Sequence, residues 1–496
     1  MISAIEFEMN RVPIAWIIRI GFAGTLLVGA CGGSGGGDPS NPDERAPVDT
    51  LAYIVTECRI ADDTVDVHQE LRIQRGEGVP LTVAELDVGP LDGSLRVLFP
   101  FSSVPPQEVD LSTACRRLGQ IRLGSHSVFF FYLQDVAVSP DGSGIVFEIT
   151  DNFSPLPPGL LPADRRGIFF VRADGSGLRR IGDARTEPSF VLEAAVNVRA
   201  FAFSPDGRSV TFIDHGPGPD GELSPQVVVV DLRDDRRRTL TRLPAGPPAT
   251  RFPSTCCASF VDGDTLSFSS TSNPVGLNPR GEFLLFTIER DGTGLSTVDP
   301  LRTSGDVVSP LFAIPGAQPG VAILEVSVPG ARPVPEVFFF DEEKNVLQLT
   351  ALGKPDTISA LLGTDRATVF FPASADPVGL NPSGNCQIFA IPTVGGSTRQ
   401  LTDFRETEVS TFGCLFSPAR GCAIGSVFQD PYNDTLVFHS SCDPLGTNPF
   451  GDQVFAMRTD GTGLRQLTDT RGMSNENGIE IVELPGPFSY RMSPVL

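Results

Sequence analysis

Short apolar runs of strand length recur along most of the chain, separated by clusters of Gly, Pro, Asn and Asp. Three of them align on a threonine: Thr265-Leu-Ser-Phe268, Thr368-Val-Phe-Phe371 and Thr435-Leu-Val-Phe438. Each is followed by the same kind of turn, Asn273-Pro-Val-Gly-Leu-Asn-Pro-Arg-Gly281, Asp376-Pro-Val-Gly-Leu-Asn-Pro-Ser-Gly384 or Asp443-Pro-Leu-Gly-Thr-Asn-Pro-Phe-Gly451. An apolar run then ends at Phe286, Phe389 or Phe455, and a second turn follows: Asp291-Gly-Thr-Gly294, Gly395-Gly396 or Asp460-Gly-Thr-Gly463. Two copies finish alike, with Arg399-Gln-Leu-Thr-Asp403 and Arg465-Gln-Leu-Thr-Asp469. Looser copies carry Ser139-Pro-Asp-Gly142 and Ser204-Pro-Asp-Gly207. Repeats of roughly 40 to 50 residues built from strand-length runs are the pattern of four-stranded propeller blades.

The turn residues say why the strands stop. Proline fixes φ and cannot donate to a ladder, glycine supplies positive φ, and Asp or Asn beside proline bonds nearby backbone amides. Each unit therefore reads as strand, Ser-Pro-Asp-Gly turn, strand, Asx-Pro loop, strand, Asp-Gly turn, strand. Parity puts the first and third turns of a blade at one end. The long second loops share the other end with the connections between blades and with the insertion from about Arg405 to Asp430.

The Ser-Pro-Asp-Gly turns, the Asp-Gly-Thr-Gly turns and the Arg-Gln-Leu-Thr endings resemble the WD-like repeats of the TolB-type β-propeller family, over roughly residues 134 to 472. The resemblance implies an all-β chain, a propeller of six to seven four-stranded antiparallel blades. It speaks for the fold more than for an activity. Residues 51 to 133 depart from that family, reading as strands (Leu51 to Thr56, Val65 to Ile73, Leu95 to Phe101) in place of an α/β domain. They are expected either to form an extra blade or to close the ring by pairing with Ile479 to Leu484, with the propeller itself over 134–496.

Residues 1–30 read as a lipoprotein export signal. An apolar run from Phe22 leads into Val28-Gly-Ala-Cys31, which resembles the lipobox, with small residues where the peptidase must cut and Cys31 as the lipidated residue. The interruption at Arg19 argues against an uncleaved transmembrane helix. Residues 31–50 open with Gly32-Gly-Ser-Gly-Gly-Gly37, a flexible tether. Gly32, where an Asp would resemble an inner-membrane retention signal, favours the outer membrane, facing the periplasm or the cell surface.

Composition narrows the function. With 38 basic against 60 acidic residues and a net charge of −22, nucleic acid is a poor partner, and contact with membrane is expected through the lipid only. The excess of glycine and proline, 51 Gly and 44 Pro, is mostly turn chemistry plus one tether. Gly32 to Gly36 spells a nucleophile elbow, but no strand precedes it. Gly216-Pro-Gly-Pro-Asp-Gly221 spells a dinucleotide fingerprint, but two prolines and a following strand leave no helix for phosphate. The histidines, His68, His126, His215 and His439, do not fall at metal-ligand spacing. Propeller peptidases add a hydrolase domain, and none is expected in the residues that follow the last recognisable blade. No catalytic residue, metal site or cofactor is assigned. The one cofactor alternative is Ca²⁺ on Asp376, Asp443, Asn381 and Asn448, against which turn capping is the favoured reading.

The expected function is a lipid-anchored, non-catalytic scaffold that binds a protein or an envelope polymer. Its candidate rim loops are those of Asn273, Asn278, Asp376, Asn381, Asp443 and Asn448. The alternative is a propeller hydrolase or lyase acting on a polysaccharide or peptide. Eight cysteines besides Cys31 imply disulfides in an exported chain. Cys414 with Cys422 would staple the insertion, and Cys386 with Cys442 would tie successive blades. Adjacent Cys256 and Cys257 are not expected to bond each other, since strand geometry points them to opposite faces.

Overall fold

The computed structural model describes residues 49–99, 107–118, 132–184, 201–244, 255–297, 307–310, 320–326, 334–353, 360–405, 414, 422, 424–448 and 453–491, apart from breaks of one to four residues inside these segments. The segment expected to be an export signal, Cys31 and most of the expected tether lie outside them, as do His126, most of the expected insertion and the side chains of Cys256 and Cys257.

Six four-stranded antiparallel sheets follow one another along the described chain as six propeller blades. The first blade runs Leu133–Val138, Gly144–Ile149, Gly167–Arg172 and Arg179–Gly182. The second runs Ala202–Phe203, Ser209–Pro217, Leu223–Asp231 and Arg236–Thr239; the third, Thr255–Phe260, Thr265–Ser270, Leu284–Glu289 and Ser296–Thr297. The fourth comprises Val307–Pro310, Gly320–Val326, Val334–Phe340 and Val346–Gln348. The fifth and sixth are Leu361–Leu362, Thr368–Ala373, Gln387–Pro392 and Arg399–Gln400, then Ile424–Gln429, Thr435–Ser440, Gln453–Arg458 and Arg465–Gln466.

Two side-chain devices repeat from blade to blade. Strands two and three meet through a phenylalanine pair in direct register, Phe147 with Phe169, Phe268 with Phe286, Phe371 with Phe389 and Phe438 with Phe455. Their ring centroids lie 5.5, 5.4, 5.6 and 5.9 Å apart, the offset-stacked range in which aromatic pairs add about 0.5–1.5 kcal/mol beyond burial. A buried glutamine and threonine then fasten strand four to strand three. Thr241, Thr402 and Thr468 donate their hydroxyls to Gln226, Gln387 and Gln453 at 2.8, 2.7 and 2.6 Å. Each threonine oxygen in turn accepts the amide of Val227, Ile388 or Val454 at 2.9 Å. The fourth blade substitutes Glu336, which accepts from Thr350 at 2.6 Å. This is what the Thr of the Arg-Gln-Leu-Thr ending does: it completes the hydrogen bonding of a buried amide whose isolation would be costly.

A five-stranded sheet combines early and late segments of the chain, in the order Leu81–Asp92, Thr64–Arg75, Thr50–Ala61, Ile479–Tyr490, Gly472–Glu476. Thr50–Ala61 runs antiparallel to Ile479–Tyr490, with Leu51 opposite Tyr490 and Ile60 opposite Glu480. Alternate residues serve the two faces. Ala52, Ile54, Cys58 and Ile60 join a core with Val136, Val138, Ile145 and Phe147 of the first blade. Leu51, Tyr53, Val55, Phe488 and Tyr490 pack on Phe428, Val437, Val454 and Ala456 of the sixth. This sheet therefore stands between the first and last blades.

The joint is fastened by a buried ion pair. Arg491 donates to Asp430 from Nη2 at 2.7 Å and from Nε at 3.1 Å, while the Tyr490 hydroxyl bonds Asp49. Beside the sheet lie a hairpin, Arg96–Phe99 with Gln107–Asp110, and the helix Leu111–Leu118, an element the strand pattern did not announce. Cys115 of that helix is bonded to Cys58.

Candidate functional site

The Asx-Pro loops connect strands two and three of the third, fifth and sixth blades. Their repeated Asx residues turn inward. Asn273, Asp376 and Asp443 each accept through Oδ1 the amide of the residue five positions on, Asn278, Asn381 or Asn448, at 2.6, 2.7 and 2.7 Å. The second Asn of each loop is buried and donates from Nδ2 to carbonyl oxygens at the loop's base: Asn278 to Ser272, Asn381 to Ala375 and Asn385, Asn448 to Cys442. The side chains named as rim candidates are thus the internal framework of the loops. Among the described residues no group of three or more His, Cys, Asp or Glu is placed to hold a metal ion.

What the framework presents is apolar. Val275 is 90% exposed, Leu380 67% and Leu445 45%, and all three stand at loop tips. Val275 holds φ at +48°, a region costly for a β-branched residue. These exposed aliphatics were the sequence feature most easily missed, because Val and Leu inside a turn motif look like ordinary spacing residues.

The disulfides correct the sequence expectation. Neither Cys414 with Cys422 nor Cys386 with Cys442 is formed; the bonds are Cys386–Cys414 and Cys422–Cys442. Register explains the second. Ile424 pairs with Ser440, so two residues further out along both strands Cys422 lies opposite Cys442, with Cα atoms 4.8 Å apart. Cys414 then meets Cys386, at the start of strand three of the fifth blade, across 5.5 Å between Cα atoms. The insertion is consequently riveted at two points to the bases of the fifth- and sixth-blade loops, in a cluster with Phe404, Ile424 and Phe438.

At the opposite end, the third turns fasten blade to blade. Their aspartates cap the turn from within: Asp174, Asp291 and Asp460 each accept the amide and hydroxyl of Ser176, Thr293 or Thr462. Arg179 of the first blade donates to both carboxylate oxygens of Asp235 in the second, at 2.8 and 3.0 Å, and to the Leu232 carbonyl. Arg399 of the fifth blade donates to the Asp460 and Thr459 carbonyls of the sixth, at 2.8 and 3.2 Å.

The histidines divide. His439 is buried and stacks on Phe488, centroids 5.9 Å apart. His68, on the five-stranded sheet, bonds Asp87 at 2.6 Å and Glu70 at 2.8 Å, and Glu70 also accepts from Arg72 at 2.6 Å. Burial alone would lower the His68 pKa; the bonds to Glu70 and Asp87 outweigh it and the net shift is upward. Burial pushes the Glu483 carboxyl up in the same neighbourhood, against the pull of the Arg471 amide and of Arg72 and Arg471.

Comparison with known proteins adds little beyond the fold. No family model matches the chain, and no curated protein does. Among solved structures it is similar to TolB from Acinetobacter baumannii, at 13% identity over 98% of this chain and 94% of that one, with a TM-score of 0.35. It is similar also to an oligogalacturonate lyase from Vibrio parahaemolyticus, at 8% identity, 79% and 93% coverage and TM-score 0.40. A third is an acylaminoacyl peptidase from Pyrococcus horikoshii, at 12% identity, 84% and 52% coverage and TM-score 0.39. Superpositions this slight transfer no activity. Among the described residues no helix is long and apolar enough to cross a membrane.

Proposed function

We propose that this chain is an exported propeller, tethered to the outer membrane through lipid on Cys31, that binds a protein partner without catalysing a reaction. The binding surface is the rim formed by the Asx-Pro loops. One observation carries the reading: Val275, Leu380 and Leu445 stand exposed on loops whose own Asx side chains hold them in place. The rivets at Cys386–Cys414 and Cys422–Cys442 support it by fixing the bases of the fifth- and sixth-blade loops, which lowers the ordering cost of binding. Apolar tips on a stiff support match the way protein interfaces concentrate their energy in a few anchoring residues. The tether's Gly-rich composition gives the domain reach from the anchor.

The test is quantitative cross-linking in intact envelopes with the full chain and the Leu380→Asp/Leu445→Asp variant. A protein recovered with the former and reduced at least about tenfold with the latter supports the reading; an unchanged set of cross-linked species refutes it. Mass spectrometry of the mature amino-terminal peptide, looking for acyl chains on Cys31, tests the anchor separately.

A further inference from the structure

The sixth blade offers an unfilled version of a joint that the first and fifth blades complete. Arg179 and Arg399 each open the fourth strand of a blade and each hold the third turn of the next. Arg465 stands at the same point of the sixth blade, in the same Arg-Gln pair as Arg399. Its neighbour in the ring is the five-stranded sheet, whose corresponding turn, residues 76–80, has no Asp-Gly-Thr-Gly sequence. That turn does not dock: Val79 is 92% exposed and nothing lies within 4 Å of where a Gly76 Cβ would be. Arg465 and Arg458 are exposed and, among the described residues, their side chains make no hydrogen bond or ion pair. With Asn433, Asp434, Thr435 and Gly463 they line a cavity of about 500 Å³.

We infer that this cavity receives a tight turn of a partner protein that presents an aspartate carboxylate and a backbone carbonyl to Arg465. The occupant's chemistry is set by the molecule's own precedents, since Arg179 takes one carboxylate and one carbonyl and Arg399 takes two carbonyls. Arginine suits such an acceptor pair because its planar fork can meet two oxygens at once. Asp434 limits the cavity's positive charge and would orient one guanidinium while the other meets the ligand. The site lies at the end of the third turns, opposite the Asx-Pro loops, so it is independent of the rim proposed above.

The probe is a cyclised, fluorescein-labelled peptide with the sequence of residues 231–236, Asp-Leu-Arg-Asp-Asp-Arg, whose last aspartate is the one Arg179 holds. Its binding to the full chain is read by fluorescence anisotropy at low salt. Saturable binding that falls at least about tenfold in Arg465→Ala and in a peptide with that aspartate changed to Asn, weakens with added salt, and is unchanged in Leu380→Asp, is the expected result. Equal binding by Arg465→Glu, or no saturable binding by the unaltered chain, overturns the inference. So does Arg465-dependent dimerisation in light scattering, which would make the occupant a second copy of this chain. Arg465 is exposed, and unchanged melting of the variants confirms that their folding is intact.

Discussion

Blade-to-blade docking of the third turns is open to a measurement in which the clash is isolated from backbone strain. Gly461 and Gly478 hold nearly the same φ, +88° and +89°. A Cβ on Gly478 would meet nothing within 4 Å, whereas on Gly461 it would stand 2.6 Å from the Leu401 carbonyl oxygen and 3.3 Å from its carbonyl carbon. Alanine at Gly478 therefore costs only the strain of placing an L-residue at positive φ, about 1–2 kcal/mol. Alanine at Gly461 adds the displacement of the sixth-blade turn from the fifth blade, an overpacking cost of about 1–3 kcal/mol. It also loosens the Arg399 hydrogen bonds to Thr459 and Asp460, worth about 0.5–1.5 kcal/mol each. The expected totals are about 1–2 kcal/mol for Gly478→Ala and about 3–5 for Gly461→Ala. Urea denaturation followed by far-ultraviolet circular dichroism measures both, since the only tryptophan, Trp16, lies outside the blades. Equal losses, within about 0.5 kcal/mol, would refute the docking argument.

The ion pair at the joint gives a larger effect: Arg491→Ala leaves Asp430 buried without its cation and should cost about 3–5 kcal/mol in the same assay, whereas an Arg491→Met/Asp430→Leu pair should cost clearly less. His68 supplies a pH dependence. Its folded-state pKa is raised, so its stabilisation is full below the unfolded value near 6.5 and is lost as pH rises through the folded value. His68→Gln should then lower the melting temperature more at pH 5.5 than at pH 9; an equal loss at both refutes it. Non-reducing peptide mapping should recover Cys386 with Cys414, Cys422 with Cys442 and Cys58 with Cys115, and a Cys414–Cys422 peptide would contradict the register argument.

Much of the fold was legible because its turns are spelled out. Thr265, Thr368 and Thr435, aligned on sequence alone, each open the second strand of a blade. Ser139 and Ser204 bond the aspartate two residues on and the amide five residues on, as the Ser-Pro-Asp-Gly spelling implies. The fourth blade was illegible for the same reason inverted: it lacks those turns, and its marker is Glu336 facing Thr350, a pairing visible only once Gln226, Gln387 and Gln453 are seen in the same place. The candidate rim was half legible. Sequence located the loops, but Asx residues beside proline satisfy either a partner or their own backbone, and only packing chooses between them. The cysteine pairing failed because spacing does not reveal strand register: Ile424 opposite Ser440 sets Cys422 against Cys442, which leaves Cys414 for Cys386.

Because Thr50–Ala61 takes Ile479–Tyr490 as its partner, the order in which the chain becomes available matters to its assembly. Until residues 479–490 arrive, a twelve-residue strand keeps one edge unpaired, and such edges invite pairing with other chains. Long-range pairings of this kind also fold slowly. Yet loop-closure entropy grows only logarithmically, about 0.6 kcal/mol per doubling of length, so the final strand needs few contacts to hold. A chain stopped before Ile479 would thus keep its blades and lose its latch, becoming an open row of sheets with an adhesive edge in place of a closed ring.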